Sequence, residues 1–264
     1  MKKFLGSTGA GLKRTFFSLS FLSAAVGLCV MSLLSIYQEM AFVGSESSVV
    51  YLYDMGNYAN FWILFLLFGA VPGATLFCAD WKNRYIRFII LRGGKACYGA
   101  SSAIACYVSG IAAVFLGEWL FLGALCLHYP LFSASDILLI GFDTTPYAPL
   151  LTPSGILLFY AARFLVKACC AGFFAVFALW FSTKITNTFV TLTVPIIFNY
   201  LWENLTVLLG LPSYLDFPRI ALGHVYINGS LAWAVLYPVL LFTTLAALFG
   251  ALFTRGVERR VENG

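Results

Sequence analysis

Residues 77–95 read FCADWKNRYIRFIILRGGK and separate two long apolar runs. If residues 80–92 form one helix, four aromatic or aliphatic residues fall at i, i+4, i+7 and i+8 on one face. These are Trp81, Tyr85, Phe88 and Ile89. Asp80 suits the N-cap of such a helix and Gly93 suits its end. The stretch therefore predicts a basic amphipathic helix, which by itself is typical of a juxtamembrane loop among lipid headgroups.

The composition indicates a membrane protein. Of the 264 residues, 61% are hydrophobic and 10% are charged, whereas charged residues make up about 25% of a soluble domain. A helix needs about 20 residues to cross a hydrocarbon layer about 30 Å thick. Runs of that length cover residues 15–36, 59–79, 99–127, 155–181, 188–209 and 231–253. We therefore expect an all-α polytopic membrane protein with six transmembrane helices in a single domain, residues 1–264.

The positions of the cations predict the orientation. On one side of the expected membrane lie Lys2, Lys3, Lys13, Arg14, Lys82, Arg84, Arg87, Arg92, Lys95, Lys184, Arg255, Arg259 and Arg260. The other connections carry Glu39, Glu46, Asp54, Asp136, Asp143 and Asp216, with Arg219 as their cation. By the positive-inside rule, both termini lie in the cytoplasm of a bacterial-type plasma membrane. The net charge of +5 then reflects topology in a lipid bilayer, and we expect no nucleic-acid partner.

Three segments outside the apolar runs have distinct characters. Residues 1–14 form a short cytoplasmic amphipathic lead-in, residues 80–95 form a cytoplasmic loop, and residues 205–230 form an irregular external segment. The apolar stretch after the lead-in is longer than the core of a signal peptide, so we expect it to be retained. After Pro195 and Asn199 the fifth run continues as NYLWENLTVLLGLP. This predicts a break in the fifth span and allows a re-entrant external hairpin between spans five and six.

Ionisable residues inside the apolar runs are the candidates for a translocation path or an ion pair. They are Glu118, Arg163, Lys167 and Glu203. Glu118 and Arg163 lie at a similar depth, about 12–14 Å below the external boundary at 1.5 Å per residue, so they could meet. Arg163 and Lys167 are i, i+4 neighbours and need an acidic partner or water. The pattern fits a polar lining of a translocation path, and it also fits a buried ion pair that fastens helices or a side chain that snorkels.

Small residues form a stripe along the third run at every fourth position: Ser101, Ala105, Ser109, Ala113 and Gly117. Such a stripe predicts close helix packing, within one subunit or across a dimer. Pro72 with Gly73 predicts a kink in the second run. The seven cysteines form no C-x-x-C pair and the two histidines stand alone, so we expect no metal site.

Motifs for catalysis are absent from the sequence. It contains no G-x-x-x-x-G-K-[ST], no H-E-x-x-H and no G-x-S-x-G. The chain therefore lacks a P-loop, a zincin site and a nucleophile elbow. We expect it not to be an enzyme and to hold no cofactor of its own.

Residues 77–95 resemble the loop between spans two and three in permease subunits of type-2 ATP-binding-cassette (ABC) exporters. That family carries a pattern close to F-x-x-[DE]-[YW]-[KE]-N-G-[TS]-[IL]-R. A short apolar stretch follows, and after it come a basic residue, then Gly or Pro, and then another basic residue. The matching residues are Phe77, Asp80, Trp81, Lys82, Asn83, Ile86, Arg87, Leu91, Arg92, Gly93 and Lys95. Arg84 and Tyr85 stand where the family has Gly and Thr, and Ser102 stands near a position where it has a basic residue.

The resemblance implies a permease that pairs with a second copy or a sister permease and with separate ABC ATPase subunits, which bind ATP and Mg. In that family the loop forms a coupling helix that docks on the ATPase. The residues expected to couple are Asp80, Trp81, Asn83, Arg84, Tyr85, Arg87, Phe88, Arg92 and Gly93. The expected cargo is an amphipathic peptide, drug or lipid.

Two other classes fit the same sequence. The chain could be a secondary transporter that uses Glu118 and Arg163 as an ion or proton relay. It could also be a non-energised membrane binding or immunity protein. Co-purification of a P-loop ATPase separates these classes from the exporter.

Overall fold

The computed structural model describes residues 2–42, 47–58, 63–133, 145–225 and 229–262, which form helices and turns but no strand. Their α-helices are α1 (Lys2–Phe16), α2 (Leu19–Ser35), α3 (Tyr37–Phe42), α4 (Val49–Tyr58), α5 (Leu64–Ala70), α6 (Leu76–Lys82), α7 (Tyr85–Gly93), α8 (Lys95–Leu125), α9 (Ile156–Ser182), α10 (Thr188–Leu208), α11 (Phe217–Ala221) and α12 (Leu231–Glu262). Short 3-10 helices cover Ala148–Leu150 and Ser213–Leu215.

Three of the described helices, α8, α9 and α12, are long and apolar enough to cross a membrane. A fourth crossing results if Phe4–Phe16 and Leu19–Ser35, which meet at a bend of 51°, count as one span. The bend falls at Ser18, whose side chain accepts a hydrogen bond from the Phe21 N–H and so starts a new helix. An all-helical chain with such helices is a membrane protein.

The second apolar run is divided into two short helices. α5 ends at Ala70 and α6 begins at Leu76, with turns between them. The predicted kink at Pro72 and Gly73 is confirmed, because proline lacks the N–H that would continue the helix. A Cβ at Gly73 would lie 2.6 Å from Cα of Cys106. The break therefore brings this backbone directly against α8.

The predicted early break in the fifth run is wrong. α10 continues through Pro195 and past Asn199 to Leu208, so no hairpin begins after Asn199. A proline inside a helix removes one backbone hydrogen bond and can be tolerated without a turn. Irregular structure starts only after α10, where the 3-10 helix Ser213–Leu215 and α11 follow.

Helix α9 forms the centre of the bundle. Of its 27 residues, 20 are buried, as expected for a helix that is apolar all round. It packs against α5, α8, α10 and α12. Phe173 on α9 lies in an aromatic cluster with Phe217 and Phe242, at ring-centroid distances of 5.8 and 6.0 Å.

The small-residue stripe of α8 packs within the subunit. All five of its residues are buried. Ser101 Oγ lies 3.0 Å from Ser7 Oγ on α1, and a Cβ at Gly117 would lie 2.9 Å from the Ala25 carbonyl oxygen on α2. The sequence allowed packing within one subunit or across a dimer. In the structure the stripe packs within the subunit, where α8 contacts α1 and α2.

This contact predicts opposite results for two glycines of α8. Gly117→Ala forces a methyl group against the backbone of α2 and should lower the free energy of unfolding by about 1–3 kcal/mol. Gly123 has open space around the position of a Cβ, so Gly123→Ala should be neutral or stabilising, as expected for removal of a helical glycine. Thermal unfolding in detergent measures both variants. Equal melting temperatures would contradict the contact.

Candidate functional site

Four buried charged residues form two ion pairs between α4, α8 and α9, and we call them the buried charge cluster: Asp54, Glu118, Arg163 and Lys167. Lys167 Nζ lies 2.6 Å from Glu118 Oε1, and Arg163 Nη1 lies 3.6 Å from Asp54 Oδ1. Each residue is at most 5% exposed. Two cations and two carboxylates leave the cluster without net charge.

The expected meeting of Glu118 with Arg163 is therefore wrong. Glu118 pairs with Lys167, one helical turn further along α9. Arg163 takes Asp54, which the sequence placed in an external connection. Two cations at i and i+4 on one face need a carboxylate each, and the helix that supplies the second carboxylate is drawn into the bundle.

Helix α4 is held in the bundle by contacts at both of its ends and in its middle. The Val49 N–H donates a 2.9 Å hydrogen bond to the Pro130 carbonyl just beyond α8. The Tyr53 ring packs edge-on against Tyr160 and Phe164 on α9, with centroids 5.7 and 5.4 Å apart. Sequence reasoning missed α4 because its run of apolar residues is short. The available signal was the spacing of Val50, Tyr53, Asp54 and Asn57 on one helical face.

Aromatic rings and polar groups surround the two cations. The Arg163 guanidinium lies 5.3 Å from the centroid of Tyr53 and donates a 2.6 Å hydrogen bond to the Leu222 carbonyl oxygen. Lys167 Nζ lies 5.4 Å from the centroid of Phe65 and donates to Asn57 Oδ1 at 3.5 Å. Such rings attract cations and keep bulk water away. The cluster is thus desolvated as well as neutral.

A cavity of about 20 Å³ lies beside the cluster and is lined by Lys167, Asn57 and Tyr53 among others. This volume is enough for one water molecule. Glu118 Oε2 and Asn57 Nδ2 have no hydrogen-bond partner among the described residues. The polar side chains of Lys167 and Asn57 in this lining suit a single water molecule, and the cavity has no room for a larger ligand. Glu203 does not join the cluster, since it lies half-buried towards the end of α10.

The segment that carries the sequence pattern forms two helices. α6 ends at Lys82, and α7 begins at Tyr85 after Arg84, which has a left-handed backbone with φ +55°. The expected single helix over residues 80–92 is therefore wrong. Its end is confirmed, because α7 stops at Gly93 and Gly94 follows at φ +85°.

Asp80 does not cap a helix as expected. It lies inside α6, 3% exposed, with Oδ1 2.8 Å from Arg14 Nη1 of α1. Its Oδ2 accepts a 2.9 Å hydrogen bond from the Tyr98 hydroxyl of α8. The carboxylate that local reasoning assigned to a cap is used instead to join α6 to two distant helices.

Trp81 is also part of the packed bundle. Its ring stacks on Phe77 with centroids 5.7 Å apart, and the Arg260 guanidinium lies 4.8 Å from the ring centroid. Arg260 also donates a hydrogen bond to the carbonyl oxygen of Thr183, just after α9. Nearby, Lys95 Nζ pairs with Glu262 Oε1 at 3.0 Å. We call this place, where Arg14, Lys95 and Arg260 gather, the cation-rich end of the bundle.

The helix α7 presents an apolar face that the described chain leaves uncovered. We call it the exposed face of α7; it comprises Tyr85, Phe88 and Leu91, which are 51%, 66% and 85% exposed. Asn83 and Arg84 at the start of the helix are exposed as well. Trp81 does not share this face, because the turn at Arg84 separates the two helices. The side chains of Arg87 and Arg92, and Gly93 likewise, lie outside what the structure describes.

Comparison of the chain with protein-family models, with curated proteins and with solved structures finds no match. No group of three or more potential metal ligands occurs among the described residues. The functional assignment therefore depends on the buried charge cluster, the exposed face of α7 and the sequence pattern of residues 77–95.

Removal of one charge from the cluster should be strongly destabilising. Glu118→Gln leaves Lys167 buried without its carboxylate and should lower the free energy of unfolding by about 3–5 kcal/mol. The double variant Glu118→Gln with Lys167→Met removes both charges and should recover most of that loss. Glu203→Gln, on the half-buried position of α10, is the matched control with little effect. Chemical denaturation in detergent measures all three, and a double variant no more stable than Glu118→Gln would contradict the pairing.

His224 predicts a pH dependence of stability. It follows Gly223, where a Cβ would lie 3.5 Å from Arg163 Nε. Burial first, and then the cations Arg163 and Arg219, lower the pKa of His224 from 6.5 to about 4. In the unfolded chain His224 is therefore protonated below pH 6.5, whereas in the folded chain it is protonated only below about pH 4. The stability from this group is complete above pH 6.5. It should fall through that window by less than the limit of about 1.4 kcal/mol per pH unit, because the side chain is partly exposed.

His224→Gln tests this assignment. Between pH 6.5 and pH 4.5, the melting temperature of His224→Gln should decrease less than that of the unchanged protein. His128→Gln, the substitution of the other histidine in the chain, should retain the full decrease. Identical pH profiles in His224→Gln and in the unchanged protein would overturn it.

Proposed function

We propose that this chain is the permease subunit of a type-2 ABC exporter and that the exposed face of α7 docks on an ATPase subunit. The observation that carries the proposal is the exposure of Tyr85, Phe88 and Leu91 directly beside a firmly anchored α6. Aromatic and aliphatic side chains on a short helix at the cation-rich end form the kind of surface that a partner buries. The same residues belong to the stretch that resembles the coupling loop of that family.

The proposed topology has six crossings with both termini in the cytoplasm of a bacterial-type plasma membrane. The crossings are α2, the broken unit α4–α6, α8, α9, α10 and α12. Contacts among Arg14, Asp80, Lys95, Glu262 and Arg260 support it, because they bring the cationic segments to one end of the bundle. By the positive-inside rule this end is cytoplasmic, and α7 then faces the ATPase.

In the proposed mechanism, motion of the ATPase reaches the bundle through α6. Asp80 ties α6 to α1 and α8, and the Arg260 guanidinium over Trp81 ties it to α12. A displacement of α7 is thus passed to three helices at once. Asn83, Arg84, Arg87 and Arg92 are assigned to polar contacts with the ATPase, which supplies ATP and Mg.

A second permease copy or a sister permease completes the proposed transporter. The buried charge cluster is assigned to the fastening of α4, α8 and α9, because its cavity of about 20 Å³ has no room for a cargo molecule. The cargo would then move along surfaces shared with the second permease. An amphipathic peptide, drug or lipid suits the aromatic-rich helices.

The buried charge cluster also supports a second candidate, a gradient-driven transporter or a non-energised binding or immunity protein. Glu118 has a side-chain oxygen with no hydrogen-bond partner among the described residues, and Asp54 pairs with Arg163. Both are buried carboxylates, and such groups serve as proton relays. Neither form of this candidate requires an ATPase. A gradient-driven transporter predicts transport that collapses when the proton gradient is removed, whereas a binding or immunity protein predicts no transport.

The exposed face of α7 provides the test. A tagged chain purified from native membranes should retain a P-loop ATPase in stoichiometric amount, and Phe88→Ala should lower the retained ATPase by about tenfold or more, as for an interface hot spot. Phe189→Ala is the matched control, since Phe189 is 75% exposed on α10. Retention of the ATPase should be unchanged in this control.

Two outcomes would count against the proposal. One is the absence of any ATPase from the purified protein together with proton-dependent transport in vesicles, which favours the second candidate. The other is equal ATPase retention in Phe88→Ala and in the unchanged chain. Circular dichroism of each variant verifies that the fold is retained.

A further inference from the structure

A long groove lies on the outside of the bundle between α8 and α12, with Val176 of α9 in its lining. Its volume is about 690 Å³. Most of its lining consists of small residues, including Ala100, Ala247 and Ala251. The two helices nearly touch beneath it, because a Cβ at Gly99 would lie 2.8 Å from Cα of Thr254. Small side chains above a close helix contact leave an apolar channel open to the side.

The groove has the length of one lipid leaflet. Along α8 it extends over residues 96–107, which is about 17 Å at 1.5 Å per residue. Half of a hydrocarbon core about 30 Å thick is about 15 Å. The groove ends where the Tyr107 hydroxyl lies 2.8 Å from Thr243 Oγ1 and joins the two helices. A transmembrane helix from a second copy would need a groove of about twice this length, whereas one acyl chain fits it.

The other end of the groove carries two opposite charges, Arg255 and Glu258. They are i, i+3 neighbours on α12 and therefore face the same side. Neither forms an ion pair with another residue in the described ranges, whereas the nearby Lys95 and Glu262 neutralise each other. This end lies at the cation-rich end of the bundle, at the level where a headgroup would sit above an acyl chain. A guanidinium beside a carboxylate complements a phosphate beside an ammonium group.

We propose that this groove binds a phospholipid of the adjacent leaflet whose zwitterionic headgroup carries a primary amine. One of its two acyl chains occupies the channel between α8 and α12, the phosphate binds Arg255, and the ammonium group donates hydrogen bonds to Glu258. A choline headgroup has no N–H to donate and leaves Glu258 without a hydrogen bond. A glycerol headgroup brings no cation for that carboxylate. The site therefore selects the ethanolamine headgroup and involves neither α7 nor an ATPase.

The test is native mass spectrometry of the chain released from nanodiscs that contain equal parts of ethanolamine, choline and glycerol phospholipids. The unchanged protein should retain chiefly the ethanolamine lipid. Ala247→Phe fills the groove from an exposed position and should lose most of the retained lipid. Ala232→Phe is the matched control, because Ala232 is exposed on the same helix outside the groove. It should retain lipid as the unchanged chain does.

Charge variants separate the headgroup contacts from the acyl-chain contact. Arg255→Gln should reduce the retention of all three lipids by roughly tenfold, the effect of one lost charged hydrogen bond, and the neighbouring Arg259→Gln should not. Glu258→Gln should leave the total amount of retained lipid unchanged and should remove the preference for ethanolamine over choline lipids. Unchanged lipid retention in Ala247→Phe would overturn the proposal. If Ala247→Phe keeps its lipid retention and is also converted from an oligomer to a monomer, the groove is assigned to a second copy instead.

Discussion

Two cations one turn apart on a buried helix require two carboxylates at matching levels, and this requirement organises the bundle. Arg163 and Lys167 lie on α9, where 20 of 27 residues are buried. A buried charge without a partner costs several kcal/mol, whereas a paired charge is tolerated. Glu118 on α8 satisfies Lys167, and Asp54 brings α4 inside to satisfy Arg163. The position of α4 beside α9 follows from the second of these pairs.

Helix α8 joins the two places where chemistry is concentrated. Tyr98 near its start holds Asp80 of α6, and Glu118 near its far end holds Lys167. The two residues are 20 positions apart, about 30 Å along a helix. This single 31-residue helix therefore connects the cation-rich end with the buried charge cluster. Its small-residue face against α1 and α2 and its groove against α12 both follow from the same lack of bulky side chains.

The site was only partly predictable from the sequence, because its partners are far apart in the chain. Glu118, Arg163 and Lys167 stand out because ionisable residues are energetically costly in apolar runs. Their distance from the membrane boundary indicates which of them could meet. Depth does not indicate that Asp54 enters from a connecting segment 109 positions before Arg163. In the same way, residues 80–92 have the local pattern of one helix. The helix breaks at Arg84, and Asp80 before the break pairs with Arg14 and accepts a hydrogen bond from Tyr98. No local sequence pattern contains these long-range contacts.

The sequence by itself determined the class of the protein, the positions of α8 and α9, the break at Pro72 and Gly73, and that the small-residue stripe serves close helix packing. Each follows from hydrophobicity, side-chain size or backbone chemistry within a short window. The tertiary structure alone decided which carboxylate neutralises which cation, that α4 is buried, and that Trp81 faces the core while Phe88 faces outward. These outcomes depend on which helices pack together, and desolvation of a charge or ring is a property of all its neighbours rather than of its own segment.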